Sequence, residues 1–181
     1  MKSAIELAME KVAKMPKIEA KDIEGQKQSE MREKGEGLVN RLLNGSLRTK
    51  NLKNELSKIP EEGLKFVKTA MLDTLKTAVS LEDPSINQLV FEIILLIDGN
   101  ANVDVINEKL SPLIDDFQQQ KQLLYATLVK EERNRLREKG ISGSGMIPNV
   151  YETELWEMRL NELATDYRDK LSDVFDLFPR F

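Results

Sequence analysis

Apolar residues recur at three- and four-residue spacing along most of the chain, so the pattern predicts an all-α protein. Ile5, Ala8, Met9 and Val12 form the first stripe, on a helix from Ser3 to Lys14 that Pro16 ends. Residues 19–37 are mostly polar, and Gly25, Gly35 and Gly37 weaken the helical expectation there. Either a long solvated helix or a semi-ordered arm fits that stretch. Leu38, Val39, Leu42 and Leu43 restore an apolar face, which Asn44-Gly45 stops.

Leu47, Leu52, Leu56 and Ile59 predict a short helix up to Pro60. Pro60-Glu61-Glu62 suits the first turn of the next, because proline needs no partner there and acids favour the positive end of the dipole. Leu64, Val67, Met71, Leu75 and Ala78 continue it. Asp83-Pro84 reads as an N-cap with proline at the first helical position. The run Ile86–Ile97 that follows is apolar on nearly all sides and predicts a central buried helix.

Val103, Ile106 and Leu110 predict a short helix, and Ser111-Pro112 a second N-cap opening a long helix to about Lys139. After a loop from Gly140 to Val150, the last helix carries Trp156, Leu160, Leu163, Tyr167, Leu171, Val174 and Phe178 in one seam. Two long helices with matching seams predict an antiparallel hairpin. The expected fold is therefore an all-α bundle of six to eight helices, with a central apolar helix over 84–98. Residues 1–45 form an N-terminal helical arm, and residues 46–181 a bundle domain ending in the hairpin 112–178.

Composition narrows the chemistry. The 181 residues include no His and no Cys. That excludes disulfides, thiolate metal sites, Ser-His-Asp triads and His-ligated haem. The longest apolar run is too short to span a bilayer, which takes about 20 residues. Glu6 and Glu10 interrupt any signal-peptide core, so a cytoplasmic protein without a membrane partner is expected. Residues 1–80 hold 16 basic and 12 acidic side chains, and residues 81–181 hold 11 and 19. Basic residues gather at Arg41, Arg48, Lys50, Lys53 and Lys58, and again from Lys130 to Lys139. No aromatic side chain is interleaved with them, so a nucleic-acid partner is not expected.

Four features carry candidate function. Ile5, Met9, Val12, Leu38, Leu42 and Trp156 are candidate contacts for a protein partner or a second copy, making a homo-oligomer a reasonable expectation. Ser142, Gly143, Ser144 and Gly145 lie in a glycine-rich loop ahead of a helix and are candidates for meeting an anion. The loop follows a helix, not a strand, and lacks the Lys-Ser/Thr of a phosphate-binding loop. Glu154 and Glu157 share a helix face and are candidate metal ligands if facing helices supply more carboxylates. The tail Phe175–Phe181 either closes the core or serves as a linear motif.

The opening MKSAIELAMEKVAKM and the loop GISGSGMIPNV, followed by an acidic helix with Trp156, resemble uncharacterised all-helical protein families of bacteria. The resemblance implies a bacterial cytosolic protein and brings no activity, cofactor or functional residue. The reading that follows is a non-catalytic helical interaction or scaffold protein with no cofactor. The alternatives are an all-α Mg²⁺-dependent nucleotide or phosphate hydrolase and a weak electrostatic nucleic-acid binder.

Overall fold

In a computed structural model, which describes Ser3, residues 20–141, Gly143 and residues 147–181, the periodicity becomes six α-helices with no strand among the described residues. They are α1 (Ala20–Leu43), α2 (Leu52–Leu56), α3 (Glu61–Ala78), α4 (Pro84–Ile97), α5 (Val103–Glu138) and α6 (Glu154–Phe175). A 3₁₀ turn, Thr49–Asn51, leads into α2. The opening stripe of Ile5, Met9 and Val12 lies outside the described residues.

The polar stretch 19–37 belongs to α1 from Ala20 onward, in spite of its three glycines. Its buried stripe is Gly35, Leu38, Val39 and Leu42, and it packs along α3. The two helices run parallel, because Met31 meets Gly63 and Gly35 meets Val67 and Ala70. Gly35 is what allows the contact. A Cβ there would stand 2.5 Å from the Val67 carbonyl oxygen and 3.0 Å from the Ala70 Cβ. Two residues on, a Cβ at Gly37 would meet nothing within 4 Å. Gly45, at φ +76°, ends α1 as the sequence suggests: its N–H donates to Leu42 O, and Leu47 N–H donates to Arg41 O.

Asp83 caps α4 as expected, accepting from Ser85 N–H at 2.9 Å. Asn87 is the one buried polar residue among those described, and it is fully used. It accepts from Ser80 N–H (2.8 Å) and donates to Ser80 O (2.7 Å), clamping the connection between α3 and α4. The α4 face is less enclosed than its sequence implies. Val90, Ile93, Ile94 and Ile97 are buried, but Leu95 is exposed, since the neighbours of α4 cover one side of it.

The second N-cap is not formed. Ser111 and Pro112 lie inside α5, a single helix of 36 residues. Proline removes one N–H and leaves the Glu108 carbonyl without its helical partner, but Glu108 is exposed and water can take that bond. Ile106 and Leu110 before the proline and Phe117 after it are all buried on one stripe. Continuous burial holds the helix through the break.

α5 and α6 run antiparallel, with Phe117 against Tyr167 and Tyr125 against Trp156. The seam expected on α6 is buried or half-buried throughout. The main core takes residues from every helix, including Leu171, Val174 and Phe178 near the C-terminus. A second, small core of Leu128, Val150 and Trp156 sits at the far end of the hairpin.

Gly35→Ala and Gly37→Ala should therefore move stability in opposite directions. The first forces α1 off α3 and should cost about 1–3 kcal/mol. The second removes chain entropy from the unfolded state and should add about 0.5–1 kcal/mol. Urea unfolding followed by circular dichroism reads both as shifts of the midpoint at unchanged slope.

Candidate functional site

The hairpin end is built from the loop upward. Gly140, at φ +77°, closes α5: its N–H donates to Arg137 O and Ile141 N–H donates to Leu136 O. The first glycine of the loop is thus a helix stop. Ser142, Ser144 and Gly145 lie outside the described residues, and Gly143 is exposed. The chain re-enters at Ile147, and Val150 is buried. Thr153 caps α6, accepting from Trp156 N–H at 3.2 Å and donating to Val150 O at 2.7 Å. One of the amides that an anion would use at this helix start, that of Trp156, is therefore already bonded, and Glu154 and Glu157 in the first turn add negative charge.

Three aromatic rings fix the loop. Tyr125 stacks on Tyr151 with centroids 4.6 Å apart, and Trp156 meets Tyr125 and Tyr151 edge-on at 6.0 and 5.2 Å. Such pairs contribute about 0.5–1.5 kcal/mol each beyond area burial. Within this trio Tyr151 is still 57% exposed, and Ile147, Leu155 and Met158, close to it in sequence, are exposed at 78, 42 and 48%. A pocket of about 290 Å³ opens beside them, lined by Leu128, Glu131, Glu132, Arg135, Val150, Thr153 and Leu155. Arg135 pairs there with Glu132 at 2.7 Å.

The structure places the other expected residues as follows. Leu38 and Leu42, read from sequence as partner contacts, are buried in the main core, and Trp156 in the small one. Their apolar faces meet the chain's own helices α3 and α5, and of Leu38 only an edge that lines a surface cleft stays accessible. Glu154 and Glu157 are exposed, and among the described residues no three acidic side chains are grouped to hold a metal ion. Phe178 is buried and meets Phe175 edge-on, so this part of the tail closes the core. Tyr151, Leu155 and Met158 escaped the sequence reading as a group. Leu155 and Met158 lie off the Trp156–Leu160–Leu163 seam, and that displacement was the available signal.

Midway along the hairpin sits a polar cluster. The Tyr167 hydroxyl donates a short hydrogen bond to Asp116, and Lys170 lies 3.6 Å from the same carboxylate and over the Tyr167 ring. Tyr167 holds the Asp116 carboxyl below the usual carboxylate range against the effect of burial, assisted by Gln120 and Lys170. Burial, then the bond to Asp116 and its charge, push the Tyr167 phenol up to about 12.

Comparison with protein-family models, with curated proteins and with solved structures finds no match to this chain. The likeness of its opening and loop to bacterial helical families therefore carries no family assignment.

The raised phenol has a pH signature. Its contribution to stability is complete below the ordinary tyrosine value of about 10 and is lost as pH rises through about 12. Absorbance titration of the phenolate, wild type minus Tyr167→Phe, should show one tyrosine titrating near 12. A difference curve centred at the ordinary value would mean the bond to Asp116 does not persist in solution.

Proposed function

We propose that the protein is a non-catalytic interaction or scaffold module of the cytoplasm, and that the hairpin end is its handle. The observation that carries the reading is the exposed set Ile147, Tyr151, Leu155 and Met158, of which Tyr151 packs on Tyr125 and Trp156. Tyrosine and methionine are enriched at protein interfaces, and a pre-fixed patch loses little entropy on binding. The patch also sits at the end of a hairpin that extends past the main core, where a partner can reach it. That partner is a second copy or another protein with an apolar groove. Among the described residues no helix is long and apolar enough to cross a membrane, which fits a partner in solution.

A Mg²⁺-dependent hydrolase has less support, because the described carboxylates are not grouped as that chemistry requires. Binding of nucleic acid through Arg41–Lys58 is also less supported, since no aromatic side chain is interleaved with those cations to stack a base.

Replacing Leu155 and Met158 together by serine should weaken capture of the partner at least about tenfold, with helical content unchanged. The comparison is affinity capture from the source organism, alongside sedimentation of the purified protein for self-association. Identical captured partners and an identical mass for wild type and variant would overturn the reading. Trp156→Ala serves as a contrast, since it should collapse the small core as well as the patch.

A further inference from the structure

On the other side of α1, away from the hairpin end, lies an open cleft of about 390 Å³ between α1 and α2, lined by Lys34, Gly37, Leu38, Arg41, Glu55, Lys58 and Ile59. We propose that this cleft binds a small ligand carrying a phosphate-monoester dianion on an apolar body.

The α1 wall follows from helical spacing. Lys34, Leu38 and Arg41 stand at i, i+4 and i+7, so one stripe presents a cation, an apolar floor and a second cation. Lys58 and Ile59, just past the end of α2, supply the third cation and the rest of the floor. Gly37 leaves the floor open, because nothing lies within 4 Å of where its Cβ would stand. The volume is within the range of small-molecule sites, about 300–1,000 Å³.

The charges do not balance. Among the described residues Glu55 is the single carboxylate in the lining. It lies 2.5 Å from Lys58 and 4.0 Å from Arg41, which orients both cations toward the cleft. The hydrogen bond and charge of Lys58, with a smaller effect of Arg41, hold Glu55 below the usual carboxylate range, so it stays ionised. Lys34 has no ion-pair partner among the described residues. Three cations against one anion leave an excess that a dianion neutralises. The guanidinium fork of Arg41 matches phosphate oxygens in geometry, and Lys34 and Lys58 add point charges. Leu38 and Ile59 then cover the apolar part of the ligand.

The test is a titration of the full-length ¹⁵N-labelled protein with phenyl phosphate at constant ionic strength. Saturable shifts confined to Gly37, Arg41 and the residues around Ile59 are expected. Arg41→Gln should weaken binding at least about tenfold, and phenyl sulfate, a monoanion, should bind several-fold more weakly than phenyl phosphate. Glu55→Gln should tighten binding, because it removes the competing carboxylate. Gly37→Leu should abolish binding while the melting temperature holds or rises, which separates a filled cleft from a damaged fold. Phosphatidylcholine vesicles with and without phosphatidic acid distinguish the sources: co-sedimentation only with phosphatidic acid assigns a lipid headgroup, and its absence assigns a soluble ester. Shifts that grow linearly and scatter over lysines elsewhere, or binding that survives Gly37→Leu, would overturn the proposal.

Discussion

The contact on which the fold depends is the close approach of α1 to α3 at Gly35. Without a side chain at that position, the α1 backbone reaches the Val67 carbonyl, and Leu38, Val39 and Leu42 sink into the core beyond it. The two helices are parallel, so the chain leaving α1 at Leu43 must travel back about 18 Å to begin α3. Residues 44–60 make that return, and they do so as a packed element. Leu47, Leu52 and Leu56 are buried in the main core. The return segment packs on α4, and the cleft lined by α1 and α2 residues is the space left between it and α1. One missing methyl group thus sets the helix pair, the connection and the cleft.

The hairpin solves a different problem. An isolated pair of helices buries little, and among the described residues the distal part of α5 has α6 and the loop beside it. Two devices hold it. The Phe117–Tyr167 contact with Asp116 and Lys170 fixes the register where the hairpin leaves the body. Gln118 and Lys121 on α5 tie that region back to Leu81 and Glu82 in the Asn87-clamped connection. Farther out, Tyr125, Tyr151 and Trp156 make a local core with loop residues that α6 alone could not supply. The consequence is an end that packs three aromatic rings together and still exposes large apolar side chains.

Helical class, the caps at Asp83 and Gly45, and the α6 seam were legible because each is a local signal with a local cause. The failures have a common origin in tertiary packing. Asp83-Pro84 and Ser111-Pro112 look alike as dipeptides, yet one starts a helix and the other lies inside one. What differs is the neighbourhood. Ser80 is clamped by Asn87 before the first, whereas Ile106, Leu110, Leu113 and Phe117 carry one apolar stripe straight through the second. An interior proline costs about 3 kcal/mol, and burying several large side chains on both sides of it outweighs that. Leu38 and Leu42 were legible as an apolar face but not as a face turned toward α3. The cleft was half legible: Lys34 and Arg41 show their spacing in sequence, while the approach of Lys58 depends on the return segment.

The two candidate sites are built from separate parts. Every residue lining the cleft comes from α1, α2 or the residues just after α2, and none from α5 or α6. The hairpin end draws only on α5, α6 and their connection. They share no side chain and no ion pair, so substitutions at one leave the other's contacts in place, the condition under which effects add. Their chemistry differs in the same way, since one gathers cations over a small apolar floor and the other exposes large apolar groups over an aromatic core. A chain with neither His nor Cys cannot offer the commonest catalytic side chains. The proposed anion cleft on the body and the proposed protein-binding end would then be two sites whose described residues do not overlap.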